Sequence, residues 1–188
     1  MRAGRNEKAA DGILYRMNAD QRVVAVGAAS GVVAMALSIW LLTTHMLPAP
    51  VIADEISARL AYTLGANVFA LLPLLVMLIT VGNERFFSKA IDPTRHAEDS
   101  KMEINGRVAD NTLQQNFVFA VASLGLSTVV PLQYLQVVWA CAIVFVVARS
   151  LFWLGYRSSP LYRAPGMAAT AYMNLGIILY LLYQLVVH

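Results

Sequence analysis

No aspartate or glutamate follows Asp110, so residues 111–188 carry Arg149, Arg157 and Arg163 without an acidic partner of their own. Cysteine is reduced to Cys141, which excludes an intrachain disulfide and a thiolate metal cluster within one chain. Its apolar surroundings suit a small buried hydrophobe. His45, His96 and His188 are scattered, with no metal-ligand spacing, and no metal is expected. Neither a glycine loop able to cradle phosphate nor a Ser/His/Asp set at arguable spacing is present. The net charge is +3 and the pI about 9.2. No basic run is interleaved with surface aromatics, so these values do not point to nucleic acid.

Apolar residues are what the chain has in quantity. Hydrophobic residues make up 59% of the 188 and charged residues 13%, and the apolar ones fall in long blocks separated by charged clusters, as in membrane proteins. A helix crosses the hydrocarbon core with about 20 apolar residues. Five blocks meet or approach that length: Val23 to Met46, Leu60 to Val81, Leu113 to Val130, Leu132 to Leu154 and Met167 to Val187. The third is short, but its helical pattern extends back towards Asn105, so the helix is expected to start in the interface and enter the bilayer near Leu113. Pro131 separates the third and fourth blocks, and lipid tolerates no exposed irregular backbone, so this turn belongs at the membrane surface. The expectation is an all-α integral membrane protein with five spans.

Orientation follows from Lys and Arg, which are retained in cytoplasmic loops. Arg2, Arg5, Lys8, Arg16 and Arg22 precede the first block. Arg85, Lys89, Arg95, Lys101 and Arg107 lie between the second and third, and Arg149, Arg157 and Arg163 around the fourth-to-fifth turn. Only Arg59 falls on the other side. This predicts a multi-pass protein of the cell membrane with a cytosolic N-terminal segment 1–22 and an extracytosolic His188. The first hydrophobic block is too long for a cleaved signal and is expected to remain as an anchor.

Gly27-xxx-Gly31 and Ser30-xxx-Ala34-xxx-Ser38 place small residues along one face of the first block, which lets another helix approach closely. Pro73 is expected to bend the second helix. A broken-helix transport site would need polar partners that this segment, with Asn67 and a few small residues, hardly supplies.

The residues with chemistry to offer gather at the cytosolic boundary. Arg107, Asn111 and Gln114 are spaced i, i+4, i+7 and share one helix face. Arg149, Phe152, Trp153 and Tyr156 fall on adjacent faces of the fourth block's last two turns. Helix-to-helix hydrogen bonding with a snorkelling arginine accounts for the first set, and an aromatic belt for the rings of the second. Taken together, Arg107, Asn111, Arg149, Tyr156 and Arg163 share one depth, and an anion fits between them. Arginine is suited to forked binding of carboxylates.

Arg107-xxx-Asn111-xx-Gln114 opens a span. Ala148-Arg149-xx-Phe152-xx-Gly155-Tyr156 and Pro160-Leu161-Tyr162-Arg163-Ala164-Pro165-Gly166 follow. In this order the motifs resemble the MAPEG family, the membrane-associated proteins in eicosanoid and glutathione metabolism. The resemblance covers roughly 60–187. It implies a four-helix transmembrane bundle over 60–187, with a cytosolic loop at 83–106, assembled as a homotrimer that holds glutathione between neighbouring subunits. The span 23–46 is then an extra helix. The resemblance also implies that Arg107 and Asn111 contact glutathione together with Gln114 and Arg149, that Tyr156 stands at the site, and that Arg163 stabilises the glutathione thiolate. Arg85 is a looser match to another site arginine.

Two positions depart from the family's pattern. Gln114 stands where the family usually has Glu, which removes a charge that would pair with the ligand's ammonium, and Phe152 stands where some members have a second tyrosine. A free thiol has a pKa of about 8.5, and each unit of lowering takes about 1.4 kcal/mol of thiolate stabilisation, within reach of one partly desolvated arginine. The expected function is a membrane-bound glutathione S-transferase or peroxidase acting on lipophilic electrophiles or lipid hydroperoxides that enter from the bilayer, with glutathione as co-substrate. The alternative is a non-catalytic trimeric membrane protein that binds a lipid or other anion, or serves as a partner subunit.

Overall fold

The computed structural model describes residues 18–95 and 97–187. Expectations that fall on the first seventeen residues, His96 and His188 lie outside the described residues. Every regular element described is helical. Helix α1, Ala19–Leu41, starts four residues before the first apolar block. Asn18 caps it reciprocally: the Asn18 side chain accepts from Gln21 N at 2.8 Å and the Gln21 side chain accepts from Asn18 N at 2.9 Å. It runs into a π-helical turn, Leu42–Met46, that ends before Pro48.

The second block forms two helices, α2 (Ile56–Ala70) and α3 (Leu72–Phe86), broken at Leu71 with Pro73 in the first turn of α3. Pro73 offers no N–H to the preceding turn, which accounts for the break. Helix α4, Ser100–Val129, is 30 residues long, about 45 Å at 1.5 Å per residue. Asp99 caps it by accepting from Met102 N at 2.8 Å, so it starts before Asn105. The segment 83–106 is accordingly helical at both ends, with two short 3₁₀ turns between. After Pro131 and the 3₁₀ turn Leu132–Tyr134 come α5 (Val137–Ser158), the 3₁₀ turn Pro160–Arg163 and α6 (Ala164–Val187).

Among the described residues, four helical stretches are long and apolar enough to cross a membrane: Ala19–Met46, Ile56–Phe86, Leu132–Ser158 and Pro160–Val187. The expected fifth span is not among them. Its helix α4 has the length, but its first half carries Lys101, Glu103, Arg107 and Asp110.

Burial is inverted relative to a water-soluble bundle. Leu37, Trp40, Leu78, Ile79, Leu179 and Leu182 are exposed, whereas Thr63, Asn67, Asn116, Ser123, Thr170 and Asn174 are buried. In a lipid environment the driving force for helix association comes from close packing and interhelical hydrogen bonds, and both are found here. Asn67 Nδ2 donates to Ser123 Oγ at 3.0 Å, joining α2 to α4. Asn116 Nδ2 donates to the Ala70 carbonyl at 3.1 Å, and Asn174 Nδ2 to the Gln115 side-chain oxygen at 3.0 Å, joining α6 to α4. Ala66, Ala70, Ala122 and Ala142 keep the helices close around the stacked rings of Phe119 and Phe145, 5.0 Å apart.

The small-residue face of α1 packs against the start of α6, where Gly27 and Gly31 meet Ala164 and Pro165. Alongside this contact α1, α5 and α6 leave an apolar crevice of about 480 Å³ lined in part by Ser38, Leu42, Val147 and Ala169. Two tethers fix the lie of α4. At its N-terminal end Asn105 bonds to Glu84 of α3, and near its C-terminal end the carbonyls of Ser127 and Val130 accept from Arg59 of α2 at 3.1 and 2.7 Å. Helix α4 therefore runs antiparallel to α2 and α3 over their joint length. One end of the bundle gathers the end of α3, the start of α4, the end of α5 and the start of α6.

Candidate functional site

At that end α4 and α5 meet through a small apolar cluster of Met77, Val108, Ala109 and Phe152, with Ile104, Trp153 and Tyr156 packed around it. Above the cluster lies a polar cap. Asn105, 1% exposed, donates from Nδ2 to both carboxylate oxygens of Glu84 at 2.9 and 2.8 Å, and its Oδ1 accepts from Trp153 Nε1 at 2.9 Å. Lys101 pairs with the same carboxylate at 3.3 Å. Asn105 thus uses both faces of its amide to join three helices. Sequence reasoning missed it and Glu84, because neither stands in a recognisable spacing.

The arginines divide into those that are spoken for and those that are not. Arg149 is fully buried, donating from Nη1 to Asn111 Oδ1 at 2.7 Å and from Nη2 to Thr170 Oγ1. Its guanidinium carbon lies 4.7 Å from the Phe152 ring centroid and 5.9 Å from that of Phe145. Arg149 is therefore an internal tie between α4, α5 and α6, and does not lie open at a rim as its place near the end of a block suggested. Hydrophobic periodicity gave no warning, since α5 is apolar on almost every face. The polar neighbours Asn111 and Thr170 are what mark the inward direction. Arg85, in the last turn of α3, pairs with Glu98 of the following loop at 3.3 Å.

Arg107, Tyr156 and Arg163 come together at the rim. Arg107 pairs with Glu103 one turn earlier at 2.6 Å, a bridge with both side chains exposed. Glu103 first, and then the nearby Tyr156 hydroxyl, hold the Arg107 guanidinium more firmly in its charged form. Arg163 stacks on Tyr156, its guanidinium carbon 4.9 Å from the ring centroid. Gln114 lies on the same outward face of α4, exposed and without a hydrogen bond to any described residue. Asn111 is half-buried between this face and Arg149. Because Arg149 only donates, Asn111 Oδ1 is committed to it and the amide nitrogen is left to donate elsewhere.

The resulting surface is two guanidiniums flanking a phenol, with an oriented amide below and no carboxylate from the chain beyond Asp110. The acid paired with Arg107, Glu103, is held by a solvent-exposed bridge of the kind worth about 0–1 kcal/mol, so an incoming carboxylate can displace it. Among the described residues no group of His, Cys, Asp and Glu is placed to hold a metal ion.

A sequence model of the MAPEG family matches residues 58–183, about two thirds of the chain. The chain belongs to the MAPEG family. No curated protein and no solved structure matches it. The matched stretch of this MAPEG chain contains Arg85, Arg107, Asn111, Gln114, Arg149, Tyr156 and Arg163, and it excludes α1. Family membership and the apolar helices make the protein a multi-pass membrane protein of the eicosanoid and glutathione metabolism family.

Proposed function

We propose that this MAPEG protein is a membrane-bound glutathione S-transferase or peroxidase that acts on lipophilic electrophiles or lipid hydroperoxides and works as a homotrimer. The observation that carries the reading is the rim cluster, in which Tyr156 neighbours both Arg107 and Arg163, with Asn111 one turn along α4 from Arg107. Glutathione brings two carboxylates and a thiol. Arg107 and Asn111 suit a carboxylate, as charge-assisted donors do. Arg163, mounted at the start of α6, is the cation left for the sulfur.

In the transferase reaction the thiol proton leaves to water, and Arg163 with the Tyr156 hydroxyl stabilises the thiolate. The sulfur then attacks an electrophilic carbon of an apolar substrate, forming the C–S bond as the leaving group departs with its electron pair. The membrane-facing walls admit such a substrate laterally.

The proposed topology has five crossings with a cytosolic N-terminus. The tethering of α4 at both ends, to Glu84 and to Arg59, supports its crossing beside α2 and α3 despite its polar first half. The outward face bearing Arg107 and Gln114 is left for a neighbouring subunit.

A second reading, a non-catalytic trimer that binds a lipid or other anion, is favoured by Phe152, whose ring packs on Arg149 and brings no hydroxyl to the site. Calorimetry of glutathione with the detergent-purified protein, beside turnover of chlorodinitrobenzene, separates the two. The transferase predicts micromolar-to-millimolar binding that Arg163→Ala weakens about tenfold, with turnover lost. Binding without turnover of this or any hydroperoxide substrate favours the second reading, and no binding overturns the first.

A further inference from the structure

We infer that α1, the helix outside the family's matched stretch, is a working part of the candidate site, because it fixes the backbone that carries Arg163. The inference rests on the proposed role of Arg163, although the clamp itself does not. Arg163 makes no hydrogen bond or ion pair with any described residue. Among the described residues it touches the Tyr156 ring. The main chain therefore sets the origin from which the exposed guanidinium reaches the Tyr156 ring, 4.9 Å from its centroid.

That main chain is wedged from two sides. On one side is Gly31 of α1, the one residue of that helix that is buried. A Cβ on Gly31 would stand 2.2 Å from the Pro165 carbonyl oxygen and 2.7 Å from its Cα. These are backbone atoms, with no side-chain end to swing aside, so the two main chains touch only because the side chain is absent. Gly27, one turn earlier, adds a looser contact at 3.3 Å to Pro165 Cδ.

On the other side, a Cβ on Gly155 of α5 would lie 2.3 Å from the Tyr162 carbonyl oxygen. A Cβ on Gly166 would lie 2.3 Å from the Ala148 carbonyl oxygen and 2.6 Å from Phe152 N. Residues 162–166 are thus held between α1 and α5 at three backbone contacts, and Arg163 is inside the held stretch. Pro165 stiffens it further by fixing its own φ. The consequence for chemistry is large, since a misplacement of about 1 Å at a reacting centre can cost on the order of a hundredfold in rate. Gly31 is accordingly a positioning residue acting through Pro165.

The test compares Gly31→Ala with Gly82→Ala in the full chain, Gly82 having nothing within 4 Å of its would-be Cβ. Hydrogen exchange reads the clamp without any ligand. In Gly31→Ala the amide of Tyr162, bonded to the Ser159 carbonyl at 3.0 Å, should exchange about tenfold faster, with helical content unchanged. With glutathione bound, ultraviolet absorbance of the thiolate should show its formation moved to higher pH and affinity about fivefold weaker. Gly82→Ala should match the wild type in both. Unchanged exchange in Gly31→Ala overturns the clamp. Faster exchange with an unmoved thiolate midpoint overturns its part in the site. Failure of wild-type glutathione binding sinks the proposed function, and with it α1's part in the site, while the exchange result still decides the clamp. Should Gly31→Ala not fold, Gly27→Ala, with its softer contact, should shift both readouts the same way by less, and an unshifted Gly27→Ala then overturns the proposal.

Discussion

Asn111 and Arg149 are bonded across α4 and α5 at 2.7 Å, and among the described residues no carboxylate pairs with that arginine. A buried cation without a counter-charge is held by neutral dipoles and ring faces alone, here Asn111, Thr170, Phe152 and Phe145. Its Nε has no hydrogen-bond partner among the described residues. Such a group costs desolvation that its bonds only partly offset, so the tie serves orientation more than stability.

Arg149→Lys should therefore be less stable than Arg149→Met. Lysine keeps the buried charge and loses the fork that reaches Asn111 and Thr170 together, a loss of about 2 kcal/mol. Methionine removes the charge. Thr170 keeps its bonds to the Gly166 and Met167 carbonyls, both at 3.2 Å, and half-buried Asn111 can reach water. Its change should be about 1 kcal/mol or less. Both variants should bind glutathione about tenfold more weakly, because the Asn111 amide is no longer held with its nitrogen towards the rim. Thermal unfolding in detergent and calorimetry read the two effects, and the reverse order of stability would show that the charge is better compensated than its neighbours suggest.

Much of the fold was legible because long apolar blocks announce themselves regardless of which side faces inward. The bend expected at Pro73 follows from a local rule of the same kind, and is found as a break at Leu71. The inward turn of Arg149 was not legible, since an apolar helix has no hydrophobic period to orient it and its true partners, Asn111 and Thr170, are 38 and 21 residues away. The early start of α4 was missed for another reason. Its first turns are charged and read as loop, and only the Asp99 cap shows where the helix begins.

Gln114→Glu should tighten glutathione binding about threefold at low salt, with the gain fading as salt is raised. The side chain is exposed on the face it shares with Arg107 and has no partner to lose, so a carboxylate there is open to the ligand's ammonium. Titration at two ionic strengths checks this. A weaker complex would show that the neutral amide suits the ligand, and would move the reading towards an anion other than glutathione.

Asn105→Ala should destabilise the protein by about 2–3 kcal/mol, more than a surface polar substitution. The change leaves Trp153 Nε1 without its acceptor and takes from Glu84 two donors at once, while Lys101 remains to pair with the carboxylate. Tryptophan fluorescence should report altered surroundings of Trp153 alongside a lower unfolding temperature. Because Phe152 and Tyr156 stand within one turn of Trp153 on α5, glutathione affinity should fall as well. An unchanged unfolding temperature would mean that water replaces the lost bonds and that the cap does not hold α3, α4 and α5 together.

The crossing of α4 can be read from single cysteines introduced at Lys89 and Gln133 in a Cys141→Ala background, both positions being exposed. If α4 crosses, Gln133 and Lys89 lie on opposite sides. A membrane-impermeant thiol reagent added to intact cells should then modify Gln133→Cys and leave Lys89→Cys untouched until the membrane is opened. The physical case is that α4 is fastened beside both ends of α2 and α3, through Asn105 to Glu84 and through the Ser127 and Val130 carbonyls to Arg59. Arg59, the lone arginine on the expected outer side, spends its charge on those helix-end carbonyls and on Asp54 at 2.6 Å, so it does not oppose the inside placement of the other cations. Labelling of both positions from outside, or of neither, would reduce the protein to four crossings with Arg163 on the side opposite Lys89, and labelling of neither would turn Arg163 away from cytosolic glutathione.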